Sequence, residues 1–307
     1  MTVITLRDQS TGAQAQILTE LGFNCFSFQA AVNGEVHEVL DAPPEYELGK
    51  GKASSGGIPI LFPFPSRIRG GKFSWKNRNY ELPAGDGKGN AIHGLVLDRP
   101  WRVTLTDDQT AVGEFQLSVD APDRVSLWPT DFLIEVRYTL HPSKLRADVR
   151  MANAGEEDLP WGLGTHPYFK APLGPKGSFE NCVAQLAAPE IRELVELLPT
   201  GRRLPVEPSN DLQKGGRLKD LQLDHLFTGI TPTNGRMESL VVDPHSGLQV
   251  AQYTDPIFTE WVVYTPPHHR SICLEPYTCM TDAINMRTQG IDTGWKVMKP
   301  GKKSDVV

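Results

Sequence analysis

Between Phe132 and Leu140 every even-numbered side chain is apolar, while Glu135, Arg137 and Thr139 fall between them. A period of two is the pattern of a strand with one buried face, because successive side chains of an extended chain point to opposite sides. The same alternation returns after His141-Pro142-Ser143-Lys144, where Leu145, Ala147, Val149 and Met151 interleave with Arg146, Asp148 and Arg150. Two such runs joined by a short turn predict a hairpin. Upstream, Phe115, Leu117 and Val119 alternate with Glu114, Gln116 and Ser118, and Trp101, Val103 and Leu105 with Arg102 and Thr104. Strands therefore follow strands with no helix interposed, as in antiparallel sheets.

Shorter apolar runs at Ile58 to Phe62, Trp261 to Tyr264 and Ile272 to Leu274 are fenced by proline or glycine, which suits buried strands better than helices. The 28 glycines and 25 prolines among 307 residues also disfavour long helices. An all-β chain closed as a large sandwich or barrel is the natural architecture. One segment argues locally for helix: Ile191, Leu194, Val195 and Leu198 are spaced three and four apart after Pro189. No repeat or composition break divides the chain, so residues 1–307 are expected to form a single domain.

The formal charge of −6 is spread without a long single-sign run, which leaves no electrostatic footprint for nucleic acid. No stretch reaches the roughly 18 apolar residues of a membrane helix, and MTVITLRDQS lacks the layout of a signal peptide. The expected partner is a small neutral molecule, and the expected location cytoplasmic. Cys25, Cys182, Cys273 and Cys279 are scattered and form no C-x-x-C pair, so they read as packing residues.

H-E-x-x-H, G-x-S-x-G and the phosphate-cradling glycine loop are all absent. Gly85-Asp86-Gly87-Lys88-Gly89 precedes no helix signal and reads as a flexible loop. What remains is a set of polar residues in apolar or glycine-rich surroundings: Arg67 in PILFPFPSRIRGG, His93 in NAIHGLV, His166 in GLGTHPYF, Asp224 in QLDHLF and Glu275 in ICLEPYT. Each alone is explained as a core histidine, an ion-pair member or a strand terminus. Together they supply proton donors, proton acceptors and planar hydrogen-bond donors for a hydroxylated ligand, with no cofactor or metal required.

At these residues the chain resembles the aldose 1-epimerase, or galactose mutarotase, family. The matching segments are GIPILFPFPSRIRGGKF, NAIHGLVLDRPW, THPYFK, PTGRRLPVE with DHLF downstream, and LEPYTCMTDAIN, in the family's order. The resemblance implies one large antiparallel β-sandwich with a sugar groove on the concave face of a sheet. It implies Glu275 as general base, His166 as general acid, His93 as the histidine that orients the sugar near its ring oxygen, and Arg67 and Asp224 as holders of sugar hydroxyls. It also implies strand, not helix, before the PTG turn. Phe64, Trp128, Trp161, Tyr168 and Tyr264 are candidate apolar faces for sugar C–H groups.

The chain departs from the family's common pattern at Ser66, where asparagine is usual, at Pro167, and at Lys170-Ala171, where Asn-Leu is usual; these bear on which sugar is preferred. The alternatives of the same fold are a hexose-6-phosphate 1-epimerase, with Arg69, Lys72 and Arg78 as candidate phosphate partners, and a non-catalytic sugar-binding module. A glycoside hydrolase using Asp224 and Glu275 would leave the histidines unexplained.

Overall fold

The alternating segments pair as their periodicity dictates. In the computed structural model, which describes residues 1–307, Phe132–His141 and Lys144–Asn153 form the hairpin, with Ile134 opposite Met151 and Val136 opposite Val149. It lies at the centre of a five-stranded sheet ordered Arg102–Thr106, Thr110–Gln116, Phe132–His141, Lys144–Asn153 and Lys303–Val306. A larger sheet runs Leu198–Pro205, Glu190–Val195, Asp224–Thr228, Glu260–Tyr264, Ser271–Tyr277, Gly164–Thr165 and Ile60–Leu61. Tyr168–Lys170 also pairs with Ser271–Tyr277. Two four-stranded sheets, one holding residues 3–38 and one holding 183–186, 216–217, 237–243 and 248–254, complete the β-sandwich.

One apolar cluster of 56 buried residues extends from Leu6 to Val306. It takes in Ile134, Val136 and Tyr138 from the five-stranded sheet and Phe227, Trp261, Val263, Ile272 and Leu274 from the larger one. The opposite face of the larger sheet is different. There Leu226, Val262 and Tyr277 join a small separate cluster with Met280, Ala283 and Met286, leaving the rest of that face to polar side chains. The two α-helices span four residues each, the longest 3₁₀ segment, Pro122–Leu127, spans six, and no helix is long and apolar enough to cross a membrane.

Three local expectations are corrected. The strand carrying Phe115 ends at Gln116, and Leu117–Asp120 forms one helical turn, because the Asp131 carboxylate accepts from the Ser118 N–H and hydroxyl while Asp120 accepts from the Gln116 N–H. Arg102–Thr106 is an edge strand whose Val103 and Leu105 are exposed, so the alternation there has no core to face. The helical spacing from Ile191 to Leu198 is overridden: Glu190–Val195 and Leu198–Pro205 are strands of a hairpin. Glu196 and Leu197 form its turn, both with left-handed φ. Arg192 is the physical reason, because its side chain is buried on the sheet face against Glu260 at 2.6 Å, an ion pair that only the extended pairing with Asp224–Thr228 and Glu260–Tyr264 provides.

Candidate active site

Alternation decides which side chains of Ser271–Tyr277 share a face. Cys273, Glu275 and Tyr277 project to one side, Ile272 and Leu274 to the core. Pairing carries the same face across the sheet: Asp224 lies opposite Tyr264 and Tyr264 opposite Cys273, while Leu226 lies opposite Val262 and Val262 opposite Glu275. Asp224 is thus one strand-pair row from Glu275. Its carboxylate takes no protein hydrogen bond and is partly open to solvent.

His166 enters from a broken strand. Gly164–Thr165 pairs with Ile60–Leu61, Tyr168–Lys170 pairs with Ser271–Cys273, and His166-Pro167 falls between. Pro167 has no N–H for a ladder, so the strand breaks there. The backbone N–H of His166 donates to the Pro59 carbonyl at 3.0 Å, and its ring lies parallel to that of Tyr168 with centroids 4.8 Å apart. This places His166 Nε2 3.3 Å from Glu275 Oε1.

His93 follows from a turn that only a glycine allows to close. Its own φ is 64°, and Gly94 follows with φ 80°, so close to the chain that a Cβ there would sit 2.1 Å from the Phe62 carbonyl oxygen. The turn seats the His93 ring edge-on to His166, centroids 5.6 Å apart. The Nδ1 atoms of both rings are buried without a partner. Two unsatisfied imidazole nitrogens in one place are costly to a fold and mark a site built for something other than stability.

Arg67 stands on the short Arg67–Ile68 strand, which pairs with Ala91–Ile92. Asp282 braces this strand, its N–H donating to the Arg67 carbonyl and its carboxylate accepting from the Arg69 N–H, and the Thr281 hydroxyl donates to that of Ser66. The Arg67 Nε donates to Asp86 at 3.2 Å. Asp86 is a site residue that sequence reasoning passed over. It lies in the glycine-rich loop, where its carboxylate also accepts from the N–H groups of Lys88 and Asn90 and from the Asn90 side chain. Burial works against its charge, but these bonds and the Arg67 guanidinium together bring its pKa down to about 2.

The electrostatics centre on one proton. Burial pushes the His166 imidazole down to about 3 and the Glu275 carboxyl well up from the usual carboxylate range. The Tyr277 hydroxyl, which donates to Glu275 Oε2, pulls Glu275 back toward its charged form, Asp224 pushes it further up, and Arg67 pulls it down. Burial is the largest influence on both partners and favours the neutral form of each, a protonated Glu275 beside a neutral His166. Burial, His166 and Arg67 keep His93 neutral as well. Cys273 Sγ lies with the His166 and Glu275 donor atoms within 4.8 Å of one another, the one such trio close enough to reach a common cation. Its thiol is fully buried, which keeps it protonated.

The structure thus seats His93 against His166 and His166 against Glu275, with Arg67 close enough for its charge to act on His93 and Glu275. Among the candidate aromatic faces, Tyr168 and Tyr264 flank His166. Phe64, Trp128 and Trp161 belong instead to the main core, Phe64 stacked on Trp128 at 5.6 Å.

Comparison with known proteins bears on the whole chain. Residues 3–306 match the family model described as aldose 1-epimerase. YihR of Escherichia coli, itself uncharacterized, is 24% identical over 76% of this chain and 72% of its own length. A galactose mutarotase-like protein from Clostridium acetobutylicum superposes with a TM-score of 0.84 at 20% identity, covering 100% of this chain and 96% of that one. A galactose 1-epimerase from Lactobacillus acidophilus superposes at 0.69 and 20% identity, over 99% and 92% of the two chains. A family match running from the first strand to the last, on a fold shared from end to end, makes this chain a member of the aldose 1-epimerase family.

Proposed function

We propose that the protein is a mutarotase, interconverting the α and β anomers of a free aldose, with Glu275 and His166 as its acid–base pair. The observation that carries this reading is the 3.3 Å approach of His166 Nε2 to Glu275 Oε1, close enough for a proton to pass between them. Opening a hemiacetal ring removes a proton from the C1 hydroxyl and delivers one to the ring oxygen, so it needs one base and one acid whose roles exchange on closure. A pair holding one proton meets both needs when that proton sits on His166 and Glu275 is charged. Tyr277 and Arg67 favour this placement, and a sugar displacing water from the groove brings its own hydroxyls to both groups.

Glu275 then takes the C1 proton as His166 protonates the ring oxygen and the C1–O5 bond breaks. Rotation about C1–C2 turns the other aldehyde face toward the ring hydroxyl, and reversal of the two transfers closes the opposite anomer. His93 is neutral, so its ring nitrogen is free to hydrogen-bond near the ring oxygen. Arg67 and Asp224 hold hydroxyls, and the Asp86 carboxylate fixes the Arg67 fork while leaving its terminal nitrogens to the ligand. No cofactor has a step in this scheme. The apolar cluster running from Leu6 to Val306 supports treating residues 1–307 as one domain.

The free sugar is favoured over the phosphorylated one by what two of the three candidate basic groups already do, Arg78 having no such partner. Arg69 contacts the Asp282 carboxylate at 3.6 Å and donates to the Pro199 carbonyl, and Lys72 faces Glu81 at 3.8 Å. The test is polarimetry of freshly dissolved α-D-glucose, α-D-galactose and their 6-phosphates. The protein is expected to speed the free sugars, and His166→Asn and Glu275→Gln each to lose at least about a hundredfold of that rate. Full activity in either folded variant overturns the assignment.

A further inference from the structure

Glu275 has two oxygens, and the structure gives each a separate partner. Oε1 approaches His166, while Oε2 accepts the hydroxyl of Tyr277, two residues along the same strand and on the same face. Tyr277 is fully buried, and the space for its ring comes from a neighbouring strand: a Cβ on Gly164 would lie 2.4 Å from Tyr277 Cδ1. Gly164 is paired directly with Tyr277 and lies two residues before His166. Glu260, the strand partner of Tyr277, is already taken by Arg192 and the Thr228 hydroxyl, and Asp224 makes no hydrogen bond to the ring. Glu275 is therefore the hydroxyl's single acceptor.

We propose that Tyr277 is a positioning residue for the acid–base pair: its hydroxyl holds Glu275 Oε2, so that Oε1 alone is presented to His166 and to the C1 hydroxyl of the sugar. This rests on the mutarotase reading and extends it to a residue that touches neither the sugar nor the transferred proton. A carboxylate with one oxygen tethered has one orientation in which to accept a proton, whereas a free one divides its time among several. The tether also favours the charged carboxylate over the neutral acid, because a hydroxyl gives a stronger bond to an anion.

The consequence for pH follows from the pair as a unit. The groups facing Glu275 are His166, Asp224 and Arg67 from neighbouring segments, Tyr264 and Tyr168 from the strands on either side, and Cys273 and Tyr277 from its own. The one-proton form of the pair is the active one. Loss of the last proton leaves a bare Glu275 carboxylate, the species that Tyr277 stabilises most. Without the tyrosine hydroxyl that loss is harder, so the alkaline limb of activity moves to higher pH. The ionised placement of the single proton also becomes scarcer at every pH, so kcat falls.

The experiment is the pH dependence of kcat and kcat/KM for α-D-galactose mutarotation by Tyr277→Phe, with spontaneous mutarotation subtracted. Phenylalanine keeps the ring that fills the space beside Gly164. The expected result is a tenfold to hundredfold fall in kcat, about the worth of one hydrogen bond to a charged group. KM should change less than threefold, and the alkaline limb should rise by about one pH unit. Gly164→Ala, which displaces the ring without touching the hydroxyl, should show the same signature and serves if Tyr277→Phe fails to fold. Parental kcat together with a parental alkaline limb in either folded variant overturns the proposal. Glu275→Gln separates the two levels. If it too is fully active, the mutarotase assignment has failed; if it is inactive while Tyr277→Phe is parental, only the role of Tyr277 has failed.

Discussion

Asp86 shows how much of a binding site is settled by a single residue away from the ligand. Arginine in a groove is useful only if its fork is held still, and Asp86 holds one edge of it from a loop that three backbone and side-chain donors have already made rigid. Asp86→Ala should therefore raise KM for the sugar about tenfold, the worth of one charge-assisted hydrogen bond, and leave kcat within a few fold. Steady-state polarimetry over a range of galactose concentrations checks this, and an unchanged KM would show that Arg67 is held by something else. The residue was invisible in the sequence because glycines on both sides read as slack. The bonds that remove that slack come from Lys88, Asn90 and Arg67, and no local pattern announces them.

At the scale of elements, legibility followed the number of faces a strand exposes. The Phe132–Asn153 hairpin has one buried and one solvated face and was plain from its alternation. Glu190–Val195 carries a buried polar residue, Arg192, so its apolar residues are left in a spacing that imitates a helix. The buried Arg192–Glu260 pair, with Thr228 and the Asp292 carbonyl as further partners, is what a strand assignment would have had to know in advance. Breaking it is costly: Arg192→Met should destabilise the fold by about 3–5 kcal/mol, because it leaves the Glu260 charge buried and unpaired. Urea unfolding monitored by tryptophan fluorescence measures this, and Arg192→Met with Glu260→Gln together should recover much of the loss. The site motifs were legible for a related reason. His166 and His93 stand at a break and a turn where proline or glycine forces a polar residue into apolar company, and Glu275 is a carboxylate amid the apolar residues of a strand, whereas no pattern in the sequence set Tyr277 apart.

For the molecule as a whole, the site's protons couple its stability to pH. His93 and His166 are neutral in the fold, with pKa values below the usual 6.5, so the unfolded chain binds more protons below that pH. Their contribution is present above pH 6.5 and is lost as pH falls through it; His225 and His268, also lowered by burial, act in the same sense. Glu275 opposes them, since its raised value means that its contribution is present at low pH and lost as pH rises through the folded value. The melting temperature should thus fall between about pH 6.5 and 5, and fall more steeply in Glu275→Gln, where the opposing proton is gone. Calorimetry across that range decides it, a parallel pH dependence in the two proteins counting against the buried, protonated Glu275.

The brace beneath Arg67 also sets a timetable. Ser66 and Thr281, which bond to each other, are 215 residues apart in the chain. At the usual ribosomal pace of about 5–20 residues per second, roughly 11–43 s pass between the synthesis of the first and the second. For most of that interval the Arg67 strand has its pairing with Ala91–Ile92 but not the brace beneath it. Until residues 281 and 282 are made, a nascent chain holds Arg67 without the brace that fixes its strand, so the proposed sugar site is completed only after each of its other residues, from Arg67 to Tyr277, has been synthesised.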